Sequence, residues 1–315
     1  LSGLVGSEMC IRDSSNVGRR MVDYIQIAWQ GLVSGFAYAL IGLALVMVYK
    51  TARILNFAAG TMAGISGFLA HWWAAEQDMP FGVAILFAMI MTGAGTYVVE
   101  RLTVRPLVKL GDFLPIVIMT LGVEEFLANV SLLWCGGTAR RYRVPGDIDR
   151  INWLIGDFRL NAWHLVVAIS TFVTLSIVGY IINQTELGLG MKAFAEDQDA
   201  AKLMGIKEST VSIWTWVLSA LVGGVTGIVF APVLFLQQDY MNIIFIKGFV
   251  AAILGGFLSL SGGVAGGLLL GELEAFTIKW APREFAAALP VVIVFIVLLI
   301  RPHGLFTREK GHERV

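Results

Sequence analysis

Two adjacent carboxylates, Glu124 and Glu125, stand in the middle of an otherwise apolar run, Phe113–Cys135, with Asn129 four residues beyond Glu125. Side chains four apart share a helix face, so Glu125 and Asn129 form one polar patch. Such a patch either holds a passing cation, such as an ammonium group, or clamps one helix to another, ionised or protonated. Asn56, near Gly60, and the acids Glu272 and Glu274 raise the same question. Asn56 is expected to bond a neighbouring helix backbone. Glu274 pairs with Lys247 or Lys279, or else Lys247 snorkels to the outer end of its segment. No spacing supports catalysis. His71, His164, His303 and His312 are scattered and form no H-E-x-x-H helix, and there is no G-x-S-x-G turn. Cys10 and Cys135 have neither metal-ligand nor redox spacing. The expected sets of catalytic residues, metal ligands and cofactors are therefore empty. No G-x-x-x-x-G-K-[ST] loop cradles phosphates, so any ATP-driven work needs another subunit.

Composition says what must position these groups. Of 315 residues, 57% are hydrophobic and only 15% charged, and the mean hydropathy is +0.76. A soluble domain is about 45–50% apolar and about a quarter charged. There is too little polar surface here to cover a water-soluble body, which excludes a cytosolic enzyme, a nucleic-acid binder and a disordered scaffold. The 23 basic and 23 acidic residues cancel, so no global field selects a charged partner. The fold class is all-α, a polytopic transmembrane bundle of about eight or nine segments. Lipid leaves backbone groups no partners but one another, and about 20 apolar residues cross the hydrocarbon core.

The expected segments are Ile25–Tyr49, Ile54–Ala75, Phe81–Val99, Phe113–Cys135, Trp163–Ile182, Val211–Leu236 and Phe285–Ile300. Between the last two, Ile243–Phe276 reads as two helices meeting at Ser259–Gly263, with a re-entrant hairpin as the competing form. Lys50, Arg53, Arg101, Arg105, Lys109, Lys192, Lys202, Lys207, Arg301, Arg308, Lys310 and Arg314 then share one side, the cytoplasm. The stretch 136–161 falls outside despite five arginines and forms a cap over the outer mouth. Residues 1–20 read as a non-native or disordered extension, 21–306 as one transmembrane domain, and 307–315 as a cytoplasmic tail. Trp72/Trp73 and Trp214/Trp216 read as interfacial anchors.

Two further patterns invite function. From Met191 to Met204 the residues favour one short helix, with Gly205 placed for a left-handed C-terminal cap. Phe194, Ala201 and Met204 recur at helical spacing, with Glu196, Asp197 and Asp199 on other faces. This helix either docks in a groove of a soluble partner or lies on the membrane surface. Glycines four apart, including Gly31/Gly35, Gly60/Gly64, Gly223/Gly227, Gly262/Gly266 and Gly263/Gly267, let backbones approach closely. They pack helices within the chain. The run from Gly255 and Gly256 to Gly271 is also a candidate contact between two subunits.

The stretch AFAEDQDAAKLMGI resembles the cytoplasmic coupling loop of permease subunits in branched-chain amino acid ABC importers. ILNFAAGTMAGISGF, TLGVEEFLANVSLLWCGG, GFVAAILGGFLSLSGGVAGGLLLGELE and IRPHGLF agree in order. The likeness covers nearly all of 21–306 and is strongest to the smaller permease type. Ala59 departs from the His that often follows Asn-Phe-Ala in that family. The resemblance implies a second permease subunit, two cytoplasmic ABC ATPases, an extracytoplasmic binding protein and a bacterial inner membrane. It implies no nucleic-acid partner. Phe194, Ala195, Glu196, Asp197, Ala200, Ala201, Met204 and Gly205 would contact the ATPase. Asn56, Gly60, Glu124, Glu125 and Asn129 are candidates for the translocation pathway. Gly255, Gly256, Gly262, Gly263, Gly266 and Gly267 are the helix-packing or subunit-interface set. A secondary transporter driven by an ion gradient is the alternative. It leaves the Met191–Gly205 segment without a task.

Overall fold

The computed structural model describes residues 2–108, 113–136, 139–142, 144–301 and 304–306. Lys109, Arg143, His303 and the tail 307–315 lie outside the described residues. Helix α1 runs Ser2–Ala52. Helix α2, Ala59–His71, continues through a π-helical turn, Trp72–Glu76. Helix α3, Phe81–Val99, passes through a second π turn, Glu100–Val104, into the short α4, Arg105–Val108. There follow α5 (Phe113–Cys135), a 3-10 turn (Pro145–Arg150), strands β1 (Asn152–Ile155) and β2 (Phe158–Asn161), and α6 (Ala162–Gln184). The remaining helices are α7 (Glu186–Glu196), α8 (Gln198–Leu203), α9 (Glu208–Leu234), α10 (Asn242–Gly255), α11 (Leu260–Trp280) and α12 (Arg283–Ile300).

Five helical stretches among the described residues are long and apolar enough to cross a membrane: Met21–Ala52, Phe81–Val108, Leu114–Trp134, Ala162–Gln184 and Glu208–Leu234. Asn242–Gly255 and Phe285–Ile300 are shorter and apolar. The most apolar window of the first stretch is 83% buried and that of the fifth 61%, against 28%, 17% and 22% for the others. Helices α1 and α9 therefore form the core of the bundle. Helices α3, α5 and α6 offer most of their surface to lipid or to another protein.

The second expected segment is shorter than its apolar run. Residues 53–58 are not helical, because Arg53 takes a positive φ of 56° and Asn56 turns back on the chain. The Asn56 Oδ1 atom accepts the Ala58 N–H at 3.1 Å, so this buried amide closes its own turn and not a bond to a neighbouring helix. Helix α2 thus begins deep in the bundle, packed on α9.

The glycine run of α11 packs against α1 and α10. A Cβ at Gly267 would collide with the Ala39 backbone, one at Gly271 with Gly35, and one at Gly255 with Gly262. These are closer approaches than any side chain permits. Helices α10 and α11 meet in a tight turn in which Gly256 adopts φ +92° and the Ser259 hydroxyl accepts the Gly262 N–H at 3.0 Å. The Gly267→Leu chain is expected to lose its folded, membrane-inserted form, because backbone and not a yielding side chain blocks the new atoms. Protease protection in membranes checks this, and a protected variant would refute the packing.

The all-α expectation needs one correction, a two-stranded sheet in the cap. Strands β1 and β2 pair antiparallel with Asn152 opposite Asn161 and Ile155 opposite Phe158. The two-residue connection opens on Gly156 at φ +65°, a conformation that suits glycine. The cap is fastened to the bundle. Arg140 and Leu236 exchange backbone hydrogen bonds of 2.8 Å, the Arg140 guanidinium meets Glu76 at 2.9 Å, and the Arg159 N–H reaches Gln26 Oε1 at 2.9 Å. Tyr142 is buried beneath it, which pushes its phenol well above the ordinary value. The anchor reading fails for Trp216, which is 1% exposed and packs with Val48, Ile54, Val104 and Ile116. Trp214, two residues away, is exposed.

Candidate functional site

Helices α7 and α8 form a platform at the basic end of the bundle. The single helix expected over Met191–Met204 is broken. Asp197 is extended, with φ −152°, and its Oδ1 accepts the N–H groups of Asp199 and Ala200 at 2.9 and 3.0 Å. A short acid that caps its own successors starts a new helix here. Thr185 does the same for α7, accepting the Gly188 N–H at 3.2 Å. The C-terminal reading of Gly205 holds: at φ +83° it donates to Lys202 O at 3.0 Å, and Ile206 N–H to Ala201 O at 3.1 Å. Those two bonds are the Schellman pattern, and they turn the chain sharply into α9.

The break decides which side chains face outward. Met191, Phe194, Ala201 and Val211 are buried together, so the platform's apolar face is used up against α9. Phe194 at 3% exposure and Ala201 at 4% cannot touch a partner directly. Glu196, Asp197, Ala200, Met204 and Gly205 are exposed, and Ala195 is half-buried. The apolar tip is formed by Leu203 and Met204, exposed at 89% and 83%. Sequence spacing missed Leu203 because it assumed one unbroken helix. The platform is held to the spans by Gln198 Nε2, which donates to Thr51 O at 3.2 Å, and by the Lys202–Glu208 pair at 3.0 Å.

The membrane-spanning candidates separate into two groups. Glu124 lines a cleft of about 180 Å³ between α2, α5 and α10, facing Gly60, Thr61, Asn242 and Phe245. Gly60 leaves this cleft open: a Cβ there would stand 2.7 Å from the Phe245 Cβ. Glu125 points elsewhere. Its Oε1 and backbone oxygen accept from Asn129 Nδ2 at 2.9 and 2.8 Å, and both residues are exposed on the outer face of α5. Asn56 lies outside this cleft's lining.

A polar cluster between α1, α10 and α11 emerged that spacing only half indicated. Lys247 of α10 is ion-paired with Glu274 of α11 and donates to the Tyr38 hydroxyl at 3.0 Å, while Tyr38 donates to Glu274 Oε2 at 2.8 Å. The two charged side chains are only 17% and 13% exposed, so Lys247 does not snorkel. Lys279 instead lies 3.7 Å from the Tyr24 ring centre. A lysine in an apolar helix was the available signal; Tyr38 gave none. Gly262, Gly263, Gly266 and Gly267 face α1 and α10 within the chain, and Gly255 and Gly256 close the α10–α11 turn.

The platform, the cleft and the ion-paired trio belong to a helical body whose sequence has relatives among known proteins. The model of the branched-chain amino acid transport system permease component matches residues 27–300. The chain is 29% identical over 305 residues to the high-affinity branched-chain amino acid transport system permease protein BraD of Pseudomonas aeruginosa, covering 91% of this chain and 97% of that one. It is 27% identical over 301 residues to LivH of Escherichia coli, 91% and 96% covered. It is 24% identical over 310 residues to a probable LivH of Methanocaldococcus jannaschii, 92% and 93% covered. The chain belongs to the branched-chain amino acid transport system permease family.

Proposed function

We propose that this chain is one of two membrane halves of an ATP-driven importer for branched-chain amino acids or related small solutes. The observation that carries the reading is the platform, whose apolar interior is already satisfied while Leu203 and Met204 project unpaired into water. Such a tip suits a groove on a cytoplasmic ATPase. The names of the relatives supply the cargo. The basic end faces the cytoplasm by the excess of Lys and Arg in its short connections. With α2, α10, α11 and α12 counted, the chain crosses a bacterial inner membrane nine times, and 21–306 act as one domain. The cap end receives solute from an extracytoplasmic binding protein. Closure of two ATPases pulls on α7 and α8, and rigid-body rocking of the spans alternates access. That coupling works only if the platform is bound differently in the two states.

Glu124 and Glu125 take different tasks in this reading. The first lines the half-pathway and attracts the ammonium of the cargo. The second lies on the face covered by the second permease subunit, since leaving a carboxylate in lipid costs about 2.5–3.5 kcal/mol or more. Glu124→Gln is expected to lower uptake by about tenfold, the worth of one charge-assisted hydrogen bond. Glu125→Gln keeps the Asn129 contact and retains transport within about a factor of two. Initial uptake rates of the reconstituted complex check both, and equal losses would remove the distinction. The importer reading itself is tested by energising vesicles. Uptake must need ATP and the ATPase, and accumulation on an ion gradient without them would restore the secondary-transport alternative.

A further inference from the structure

A second cavity, of about 160 Å³, lies at the basic end between the end of α1, the π turn after α3, α7 and the start of α9. It shares no lining residue with the Glu124 cleft. Its polar wall is Glu100, whose side chain is almost wholly inaccessible at 1% exposure. The Ser212 hydroxyl donates to Glu100 Oε1 at 2.8 Å, but Oε2 has no hydrogen-bond partner. A buried carboxylate oxygen without a donor is costly, and native structures seldom leave one so unless something else fills the place. Glu100 also opens a π-helical turn, a distortion that recurs at functional sites.

The rest of the lining narrows what the missing donor is. Arg105 borders the same cavity, close enough to act electrostatically on Glu100, and makes no ion pair with any described residue. Glu208 at the rim is already neutralised by Lys202 at 3.0 Å. Among the lining residues the balance is thus one carboxylate and one guanidinium; Arg101, which also acts on Glu100, lies outside the lining. A bare cation leaves Arg105 unanswered, and a bare anion is repelled by Glu100. Ile54, Val108, Phe194 and Val211 supply an apolar wall. A positive N–H group, a carboxylate and a short hydrocarbon chain together match all three surfaces. We propose that this cavity binds a free α-amino acid with a small aliphatic side chain, and that its occupancy brakes import.

The location explains the brake. Phe194 and Val211 belong to the cluster that seats the platform on α9, so a ligand wedged among them favours one seating over another. A ligand that prefers one arrangement shifts the equilibrium by its difference in affinity. The braking consequence rests on the importer reading, whereas binding does not.

The test has two arms. In the first, radiolabelled L-leucine is titrated against the purified full chain in nanodiscs. Saturable binding is expected, weakened by about tenfold or more in Glu100→Gln and in Arg105→Gln. On the unaltered chain, which needs no variant to fold, 3-methylbutylamine and 4-methylpentanoate each lack one charge and should compete about tenfold less well than leucine. No binding, binding indifferent to both cavity variants, or competition by the amine equal to leucine would overturn the site. In the second arm, proteoliposomes holding the whole complex are preloaded with L-leucine. Initial ATP-driven uptake should fall by about fivefold or more in the unaltered complex and stay constant in Glu100→Gln. Equal inhibition of the variant would overturn the brake. A complex that imports nothing on ATP overturns the importer reading instead, and the binding arm then decides this site alone.

Discussion

A chain carrying Leu203→Asp together with Met204→Asp is expected to insert normally and lose ATP-driven uptake. Both side chains project into water at the end of α8, at 89% and 83% exposure, so acids there disturb no internal contact. In a groove the original pair would bury apolar surface contributing about 1.5–3 kcal/mol each. Two carboxylates forfeit that and add a desolvation cost, which together exceeds about a hundredfold in affinity. The change should appear as loss of ATPase co-purification with no loss of the permease from membranes. Ala201→Glu makes the informative contrast. Ala201 is 4% exposed and packs with Met191, Phe194 and Val211, so an acid there unseats the platform and lowers the chain's own thermal stability. Retained uptake in the double-acid variant would place the docking surface elsewhere.

The second large effect is expected at Lys247. Lys247→Met leaves Glu274 and the Tyr38 hydroxyl facing each other in the interior, without the ammonium that both of them contact. Removing one member of a buried pair costs about 3–5 kcal/mol, because the remaining charge stays unanswered. That is a large share of the roughly 5–15 kcal/mol that holds a folded domain. The variant's unfolding midpoint in detergent should fall well below that of the unaltered chain. Replacing both partners, Lys247→Met with Glu274→Met, should recover most of the loss, since an apolar pair of similar volume is often neutral or stabilising. A single variant as stable as the original would show that the pair is hydrated and plays no part in joining α10 and α11 to α1.

The two predictions draw differently on sequence and structure. The Phe113–Cys135 run could be bounded by eye, and α5 occupies those residues, because lipid crossing imposes length and hydropathy on any solution. The glycines spaced by four were legible as close-packing faces for the same reason: a missing side chain has the same meaning in any partner's presence. The left-handed cap at Gly205 was local chemistry, readable from one residue. Asp197 was equally local, yet its capping role was lost inside a run of good helix formers, and with it the outward turn of Leu203.

What the sequence by itself determined was the apolar helical bundle and the family whose motifs it carries. Each depends on hydrophobic runs or short patterns that act over a few residues. Only the tertiary structure decided that Tyr38, Lys247 and Glu274 meet, that adjacent Glu124 and Glu125 face different surroundings, and that Glu100 keeps an unpartnered oxygen. Tyr38 and Glu274 are 236 positions apart. The relative rotation of packed helices brings such groups together, and that rotation is set by the summed fit of many side chains, which no local pattern encodes.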